Sequence, residues 1–375
     1  MGFLLAGSLL REINLLILMI GLMLGPLLLS WRQVIVSLRK IDVRRVLPES
    51  LAAGERLVVE LEAENQRARG VSWAVVVEDR VARIGGDPRA AMTSSSLFPR
   101  LPPSDAQRCF YEGRLTQRGQ YRFGPFKLST RFPLGLIRGT LEIDRPAVLT
   151  VFPRLGALTP AWNKRRRESY YGSHTARRRQ GFLEGEFHGL RDYRSGDAQR
   201  WIHWRTTARR GELMVRQFQQ QHHHDLALMV DLWRPESPDD EDRDNVELAV
   251  SFAATIVSDH CRRGANFLML GLAGGEVDLT QGAASRLFLQ EAMTRLATAC
   301  ADSQDRLPEL LSRGLDQVPS RCDVVIISTR RVDLADTQRF SELWTDPRKR
   351  SWAGRALCIS TDGEELSRYF RVESS

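Results

Sequence analysis

The hydrophobic pattern divides the chain into three parts of different character. A continuous apolar run covers residues 13–29 and is followed by Trp31, where an interfacial aromatic side chain would lie. From residue 41 to about 155, short apolar runs and period-two alternation, as in RLVVEL at residues 56–61, predict strands. From residue 226 onward, apolar strands alternate with amphipathic helices. The pattern therefore predicts an α+β multidomain protein.

The apolar run predicts a transmembrane helix within a membrane anchor at residues 1–31. As a helix the run would be about 25 Å long, which is short of the roughly 30 Å hydrocarbon core but within reach when its flanks snorkel. The basic residues that follow the run are Arg32, Arg39, Lys40, Arg44 and Arg45. The positive-inside rule then predicts that the bulk of the chain lies in the cytoplasm.

Two alternatives to a membrane anchor stay open. A cleaved signal peptide is disfavoured because the run lacks a charged n-region before it and a small-x-small cleavage site after it. A buried core helix is the other alternative. The short apolar piece at residues 3–10 is interpreted as the end of a first transmembrane helix that begins outside this chain. With that helix, the lipid bilayer would hold a hairpin with both ends in the cytoplasm.

Residues 41–155 are predicted to form a β-sandwich. Six or seven short strands over roughly 110 residues are typical of an antiparallel sandwich of immunoglobulin-like size. The Cys…Trp…Cys spacing of antibody domains is missing, so only the architecture is predicted. Such a module usually binds or spaces other elements.

The positive charge of the chain is concentrated in one segment. The formal net charge is +8, and residues 164–216 carry 14 basic against 6 acidic side chains, which accounts for the whole excess. Residues 160–218 are therefore interpreted as a basic linker that also contains a distinctive motif. Its arginines are open to three interpretations, a solvated loop, contact with an anionic leaflet or acidic protein, and contact with nucleic acid. The membrane anchor makes nucleic acid the least favoured of these partners.

The motif is GEFHGLRDYRSGDAQRWIHWRTTARRGELMVRQF, from Gly185 to Phe218. A short helix is predicted from Ala198 with Asp197 as its N-cap, and residues 212–218 are predicted to form an edge strand. Two tryptophans three residues apart would share one helical face and anchor in a groove. The arginines are expected to form ion pairs with carboxylates, and His188 and His203 to be structural histidines. The candidate partner-binding residues are Arg191, Asp197, Arg200, Trp201, Trp204, Arg205 and Arg209. A wedge between two domains is the alternative role.

This run resembles the hallmark of bacterial DUF58 proteins. The matching positions are Gly185–Phe187, Gly189–Arg191, Tyr193, Gly196–Asp197, Arg200, Ile202–Trp204, Ala208–Arg209 and Gly211–Leu213. The resemblance implies N-terminal membrane helices, a β domain, the motif and a von Willebrand factor A-like domain. It also implies a MoxR-type AAA+ ATPase as partner in the assembly or maturation of other proteins, often of the envelope. No enzymatic activity is established for the family.

Residues 222–375 are predicted to form a doubly wound α/β domain, which the resemblance identifies as von Willebrand factor A-like. The predicted strands are 226–232, 266–272, 323–328 and 356–360, and the predicted helices are 246–261 and 285–301. Ligands bind such sheets at the carboxyl ends of the strands.

A metal-binding A domain would carry D-x-S-x-S after its first strand. Here Asp231 remains, but Trp233 and Pro235 replace both serines. We therefore expect no metal, and Asp231 either pairs with an arginine or binds a partner. Residues 222–224 are three consecutive histidines, of which at most two would share a strand face, so a metal site there is also disfavoured.

The function predicted from these features is a non-enzymatic adaptor or scaffold without cofactors. A P-loop requires Gly-Lys, but each of the four lysines follows another residue, so ATP would be used by the partner. HExxH and GxSxG motifs are missing, and none of the cysteines is paired with a nearby histidine. The alternative function is binding of nucleic acid or anionic lipid through the arginine-rich linker.

Overall fold

A computed structural model describes residues 2–3, 14–165, 186–194, 197, 199–219, 225–264, 266–319, 322–363 and 365–372. The fold divides into two compact units. The first is centred on Met1–Arg154, and the second consists of Leu155–Met293 and Ala299–Ser374. Residues 4–10 of the apolar piece, residues 166–185 of the basic linker and the three consecutive histidines lie outside the described residues.

Within the residues that the structure describes, the first unit contains one long helix and nine strands. These are α1 (Asn14–Leu38), β1 (Ile41–Val46), β2 (Leu51–Ala52), β3 (Arg56–Asn65), β4 (Ser72–Arg83), β5 (Met92–Leu101), β6 (Asp105–Arg114), β7 (Gly119–Thr130), β8 (Gly139–Ile143) and β9 (Ala147–Phe152). A 3₁₀ turn at Pro88–Ala90 joins β4 to β5.

Helix α1 is longer than the predicted anchor. Its segment Ile17–Leu38 is long and apolar enough to cross a membrane, as judged by length and composition. Pro26 lies inside the helix. The predicted boundary at residue 31 is passed without a break, and the last two turns bury Val34 and Leu38. The helix therefore runs directly into the β domain, and only Arg39 and Lys40 separate it from β1.

The β domain consists of two sheets around one core. The first sheet has the order β1-β3-β6, and the second has the order β2-β9-β7-β4-β5, with β8 paired to β7. The pairing is antiparallel except between β2 and β9, so the prediction of a wholly antiparallel sandwich is wrong at that edge. Alternate residues of β3, including Leu57, Val59 and Leu61, point into the core, as the period-two pattern requires.

A buried ion pair connects the two sheets of the β domain. The Arg45 guanidinium on β1 donates to both carboxylate oxygens of Asp79 on β4, at 2.7 and 2.5 Å. The Tyr111 hydroxyl on β6 donates to Asp79 at 2.7 Å. Arg45 also lies over the Phe126 ring at 4.2 Å. Arg45 therefore does not contribute to the exposed basic flank of α1, to which the positive-inside rule assigned it.

The second unit carries the remaining elements. Its strands are β10 (Gly156–Leu158), β11 (Glu186–Asp192), β12 (Met214–Gln219), β13 (Leu226–Asp231), β14 (Leu268–Ala273), β15 (Val277–Gly282), β16 (Asp323–Ser328), β17 (Leu357–Ser360) and β18 (Phe370–Val372). The helices along the same stretch of chain are α2 (Trp204–Arg210), α3 (Asp240–Arg262), α4 (Arg286–Thr298), α5 (Leu307–Leu315), α6 (Ser341–Thr345), α7 (Pro347–Ala353) and α8 (Glu365–Tyr369).

The main sheet of the second unit has the order β15-β14-β13-β16-β17. The four predicted strands are present and parallel, and β15 adds an antiparallel edge that the sequence pattern did not predict. Every residue of β13 is buried, as expected for the central strand of a parallel sheet. Helix α3 begins earlier than predicted because Asp239 and Asp242 form a capping box.

The first and last strands of the second unit pair with each other. Strand β10 is antiparallel to β18, with Gly156 opposite Val372. The fit is close, since a β-carbon at Gly156 would lie 2.4 Å from the Arg371 carbonyl oxygen. The Gly156 N–H also donates to the Thr255 hydroxyl of α3 at 3.0 Å. The first strand of this unit is thus hydrogen-bonded to its last strand.

Candidate functional site

The described part of the motif forms an antiparallel strand pair with a short helical connection. Strand β11 pairs with β12, with a bulge between Phe187 and Gly189. The predicted edge strand is confirmed, with a shift of its start to Met214. Among the side chains of this segment that the structure describes, Ile202, Met214 and Val215 are buried. Met214 and Val215 are neighbours on β12 and face opposite sides of the strand, so alternation in the sequence does not predict that both are buried.

The predicted ion pairing is confirmed for Arg191 and Asp197. Two guanidinium nitrogens of Arg191 donate to the two carboxylate oxygens of Asp197, each at 2.7 Å. The Arg194 N–H donates to the same carboxylate at 2.8 Å. The hydrogen bond from Arg191 is the main reason that the pKa of Asp197 falls to about 2. The Asp197 carboxylate thus accepts hydrogen bonds from two residues that precede it, and the helix start predicted at Ala198 lies outside the described residues.

The predicted single helix with two tryptophans on one face is split in two. Trp201 ends a 3₁₀ turn that starts at Gln199 and is half-buried. Trp204 begins α2 and is 66% exposed. Between them His203 caps α2, and its Nδ1 lies 2.8 Å from the Thr206 hydroxyl, which confirms a structural role for this histidine. The side chains of His188 and Arg200 lie outside the described residues.

Two further candidate arginines lie on α2. Arg205 and Arg209 are both exposed. The helix ends at Gly211, whose φ of 78° closes the last turn through a hydrogen bond to the Thr207 carbonyl. The motif therefore places Trp204, Arg205 and Arg209 on one short exposed helix, while Arg191 and Asp197 hold the strand that precedes it.

Asp231 lies at the carboxyl end of the central strand β13 and is only 1% exposed. Its carboxylate accepts a hydrogen bond from the Ser328 hydroxyl at 2.8 Å. Ser328 is its partner across the parallel strands β13 and β16. The Arg330 Nε donates to the same carboxylate oxygen at 3.4 Å. The pairing of Asp231 with an arginine is thus confirmed. Because the carboxylate is buried, it would influence a bound protein indirectly, through the position of Arg330.

Arg330 continues a chain of alternating charges toward the surface. Its Nη2 donates to Asp305 at 2.5 Å, and Arg339 donates to both oxygens of Asp305, at 2.7 and 3.1 Å. The Arg330 guanidinium lies 4.8 Å from the centre of the Trp233 ring. We call Asp231, Asp305, Arg330 and Arg339 the rim cluster. Its two carboxylates come from the last residue of β13 and from the loop that precedes α5.

The two carboxylates of the rim cluster have opposite shifts in acidity. Burial raises the pKa of Asp231, and the positive charge of Arg330 opposes the effect only in part. Burial acts in the same sense on Asp305, but the hydrogen bond from Arg339 and the charges of both arginines lower the pKa of that carboxyl overall. Asp305 is therefore the firmly ionised centre of the cluster, and Asp231 its buried end.

The metal site of an A domain does not fit these residues. A hard cation needs several oxygen ligands at short range, whereas the Asp231 carboxylate already faces the fixed positive charge of Arg330. Among the described residues, no group of three or more His, Cys, Asp or Glu side chains is placed to hold a metal ion. Arg330 thus occupies the position in which a cation would approach the carboxylate.

A surface groove adjoins the rim cluster. It has a volume of about 320 Å³ and lies between α5 and α6. Its lining includes Pro308, Ser312, Arg339 and Phe340. Arg339 therefore belongs both to the rim cluster and to the lining of the groove. The charged cluster and the partly apolar groove thus adjoin each other at this residue.

Comparison with known proteins gives one family match and distant relatives. Residues 189–336 match a family described as "Protein of unknown function DUF58". The "Uncharacterized protein YeaD" of Bacillus subtilis (strain 168) is 24% identical over 299 residues, which cover 78% of this chain and 71% of that protein.

Solved structures show only weak similarity. The β-glucosidase from Listeria innocua is 14% identical over 28% of this chain and 16% of its own, with a TM-score of 0.19. The sporulation control protein Spo0M from Bacillus subtilis is 8% identical over 41% of this chain and 58% of its own, also with a TM-score of 0.19. This chain therefore spans a small part of the glucosidase and just over half of Spo0M. The resemblance to DUF58 proteins is confirmed for residues 189–336, which include α2 and three residues of the rim cluster, Asp231, Asp305 and Arg330.

Proposed function

We propose that this protein is a membrane-anchored, non-enzymatic adaptor that acts with a MoxR-type AAA+ ATPase in the assembly or maturation of envelope proteins. In this proposal the first unit carries an immunoglobulin-like sandwich and the second a von Willebrand factor A-like domain. The observation that carries the proposal is the rim cluster. It holds two partly exposed arginines at the edge of the sheet where α/β domains bind their ligands.

The rim cluster favours protein binding because its arginines are pre-organised. The side chains of Arg330 and Arg339 are 23% and 21% exposed, so each presents one edge of its guanidinium while its other contacts are fixed. Asp305 holds both arginines, and Trp233 supports Arg330 from one face. Side chains that are already ordered lose little entropy on association, and arginine is common among the residues that dominate interfaces.

Helix α1 supports an anchor in the inner membrane. Most of its large apolar side chains are exposed, including Leu22 at 73%, and only a bilayer or another apolar partner would cover them. The exposed basic residues at its carboxyl-terminal end, Arg32 within the helix and Arg39 and Lys40 after it, fit the cytoplasmic side. A cytoplasmic position of both units would place the rim cluster where an ATPase of the cytoplasm reaches it.

Detergent co-purification from native membranes tests the proposal. The tagged full chain would be recovered with and without ATP, as wild type, as Arg339→Glu and as the matched control Arg263→Glu. Arg263 caps the carboxyl end of α3, far from the rim cluster, and is 47% exposed. We expect wild type and Arg263→Glu to recover an AAA+ ATPase in the presence of ATP, and Arg339→Glu to lose it.

Two results would contradict the proposal. Equal recovery of the ATPase by Arg339→Glu and Arg263→Glu would remove the rim cluster from the contact. Recovery of envelope proteins without any ATPase would indicate a static scaffold in place of an ATPase adaptor.

A further inference from the structure

An exposed apolar surface lies at the end of the β domain that receives α1. Leu134 and Leu136, in the loop between β7 and β8, are 54% and 59% exposed. Trp73, at the start of β4, is 39% exposed, and its ring stacks on Phe132 with centroids 5.9 Å apart. We call Trp73, Phe132, Leu134 and Leu136 the apolar tip.

The last turns of α1 pack directly beside the apolar tip. A β-carbon at Gly139, three residues after Leu136, would lie 2.1 Å from Val34 Cγ1. The Ser72 hydroxyl, next to Trp73, donates to the Ser37 carbonyl oxygen at 2.6 Å. The loop and the strand that carry the apolar tip are therefore both fixed against the helix.

The apolar surface of α1 continues to the same level. Beyond the uncharged run that ends at Leu29, the helix still exposes Trp31, Ile35 and Val36, at 54%, 39% and 37%. Val34 follows Leu29 by only about 7.5 Å of helix rise. That distance is comparable to the depth of the headgroup region, where amphipathic surfaces bind with their apolar faces about 5–10 Å into the boundary. A bilayer that surrounds α1 would thus meet the apolar tip at its headgroup layer.

Positive charges surround the apolar tip. Arg100 lies over the Trp73 ring at 5.5 Å, and Arg131 begins the loop that contains Leu134. Both arginines are exposed. Exposed aromatic and aliphatic side chains bordered by arginine match the anionic surface of a cytoplasmic leaflet. The charge and the position beside the helix both favour lipid as the occupant of this surface.

We infer that the apolar tip is a second membrane contact, which inserts into the headgroup region of the bilayer that holds α1, with Arg100 and Arg131 against anionic lipid. This inference rests on the proposed membrane anchor. With two contacts, the β domain has a fixed orientation on the membrane surface instead of pivoting about the end of a single helix.

Site-specific photocrosslinking in lipid nanodiscs tests this contact. The full chain would carry p-benzoylphenylalanine at Leu134 or Leu136, at Leu22 as the reference for the anchor, or at Val148 as the matched control. Val148 is 56% exposed, and its partner Arg122 lies eight residues along β7 from Thr130, or about 26 Å from the tip end of the sheet. Nanodiscs of phosphatidylglycerol and phosphatidylethanolamine would be irradiated and the protein adducts identified by mass spectrometry.

We expect lipid adducts at Leu22, Leu134 and Leu136, with at least several-fold lower yield at Val148. Adducts at Leu22 without adducts at Leu134 and Leu136 would overturn the second contact and leave the anchor in place. Crosslinks from Leu134 to a protein, in native membranes, would also overturn it in favour of protein docking. No lipid at Leu22 would instead refute the anchor and, with it, the proposed function. Thermal unfolding equal to wild type shows that the exposed substitutions leave the fold intact.

Discussion

The two clusters of paired charges in this protein differ chiefly in their burial. In the β domain, the side chains of Arg45 and Asp79 are 3% and 0% exposed, and they join the two sheets. In the rim cluster, Asp231 is equally buried, but the chain of charges leads outward to two arginines that are about one-fifth exposed. Arginine–aspartate ion pairs thus lie in the core of the first unit, whereas in the second unit they hold arginine side chains at the surface.

The difference follows from what surrounds each arginine. Arg45 lies between the rings of Phe123 and Phe126 and donates to Asp79, whose second hydrogen-bond donor is Tyr111. Burial, followed by the hydrogen bond to Asp79, raises the pKa of Tyr111, so its hydroxyl keeps its proton. Burying such a pair costs much desolvation free energy. Removing only one partner is nevertheless strongly destabilising, because it leaves an uncompensated charge in the core.

The largest effect is expected from Asp79→Ala. The change leaves the Arg45 charge buried without its carboxylate, and we expect a loss of about 3–5 kcal/mol in the free energy of unfolding. Urea denaturation of the purified protein measures it. Asp42→Ala is the control, because the side chains of its partners Arg44 and Arg145 are 60% and 47% exposed, and it should cost less than about 1 kcal/mol. Equal losses for both variants would show that burial does not distinguish the two kinds of pair.

A smaller loss is expected from Asp231→Asn, about 1–3 kcal/mol, since Arg330 keeps Asp305 as its partner. The pH dependence has a defined sign. Because the folded-state pKa of Asp231 is raised, this group stabilises the wild type most at low pH and loses that contribution as pH rises through the folded pKa. The difference in unfolding free energy between wild type and variant should therefore widen as pH falls from 7 to 4. A gap that narrows would contradict the assignment.

A still smaller effect on stability is expected from Arg339→Gln. Its pairing with Asp305 is partly exposed, so the free energy of unfolding should fall by less than about 1 kcal/mol in a thermal or urea experiment. Under the proposed function, recovery of an AAA+ ATPase should fall strongly in the same variant. A large loss of stability would instead show that Arg339, like Arg45, mainly stabilises the folded structure.

The smallest expected effect is a change in the pKa of Asp197 in the motif. An NMR titration of the Asp197 carboxyl should give a pKa of about 2, and Arg191→Gln should return it toward the ordinary value of about 3.9. A lowered folded-state pKa contributes stability above the ordinary range and loses it as pH falls through the folded value. A pKa near 4 in wild type would mean that the Arg191–Asp197 pair does not form in solution.

The sequence predicted the elements whose pattern is strong over many residues. Strand β13 and helix α3 were predicted because one is continuously apolar and the other has a long apolar face. Strand β15 was missed because its alternation is short and follows two glycines. Helix α5 was missed because a proline and a glycine lie within its nine residues, although it buries one full face.

The candidate site was predicted only in part, for a related reason. Asp231 was found because it ends a recognisable strand. Its partner Arg330 is 99 residues away, and Asp305 and Arg339 belong to two other loops, so their pairing depends on the tertiary fold. The buried Asp79 was missed for the same reason, since Arg45 is 34 residues away and nothing local indicates the pair.

The pairing of β10 with β18 sets an order for folding during synthesis. All strands of the β domain have been made once Phe152 is translated, so this unit folds while the ribosome is still extending the chain. Strand β10 follows at once but waits for its partner until Phe370–Val372 has been made. A nascent or prematurely ended chain thus carries a finished β domain and an open α/β unit. The α/β unit therefore closes only once Phe370–Val372 has been made.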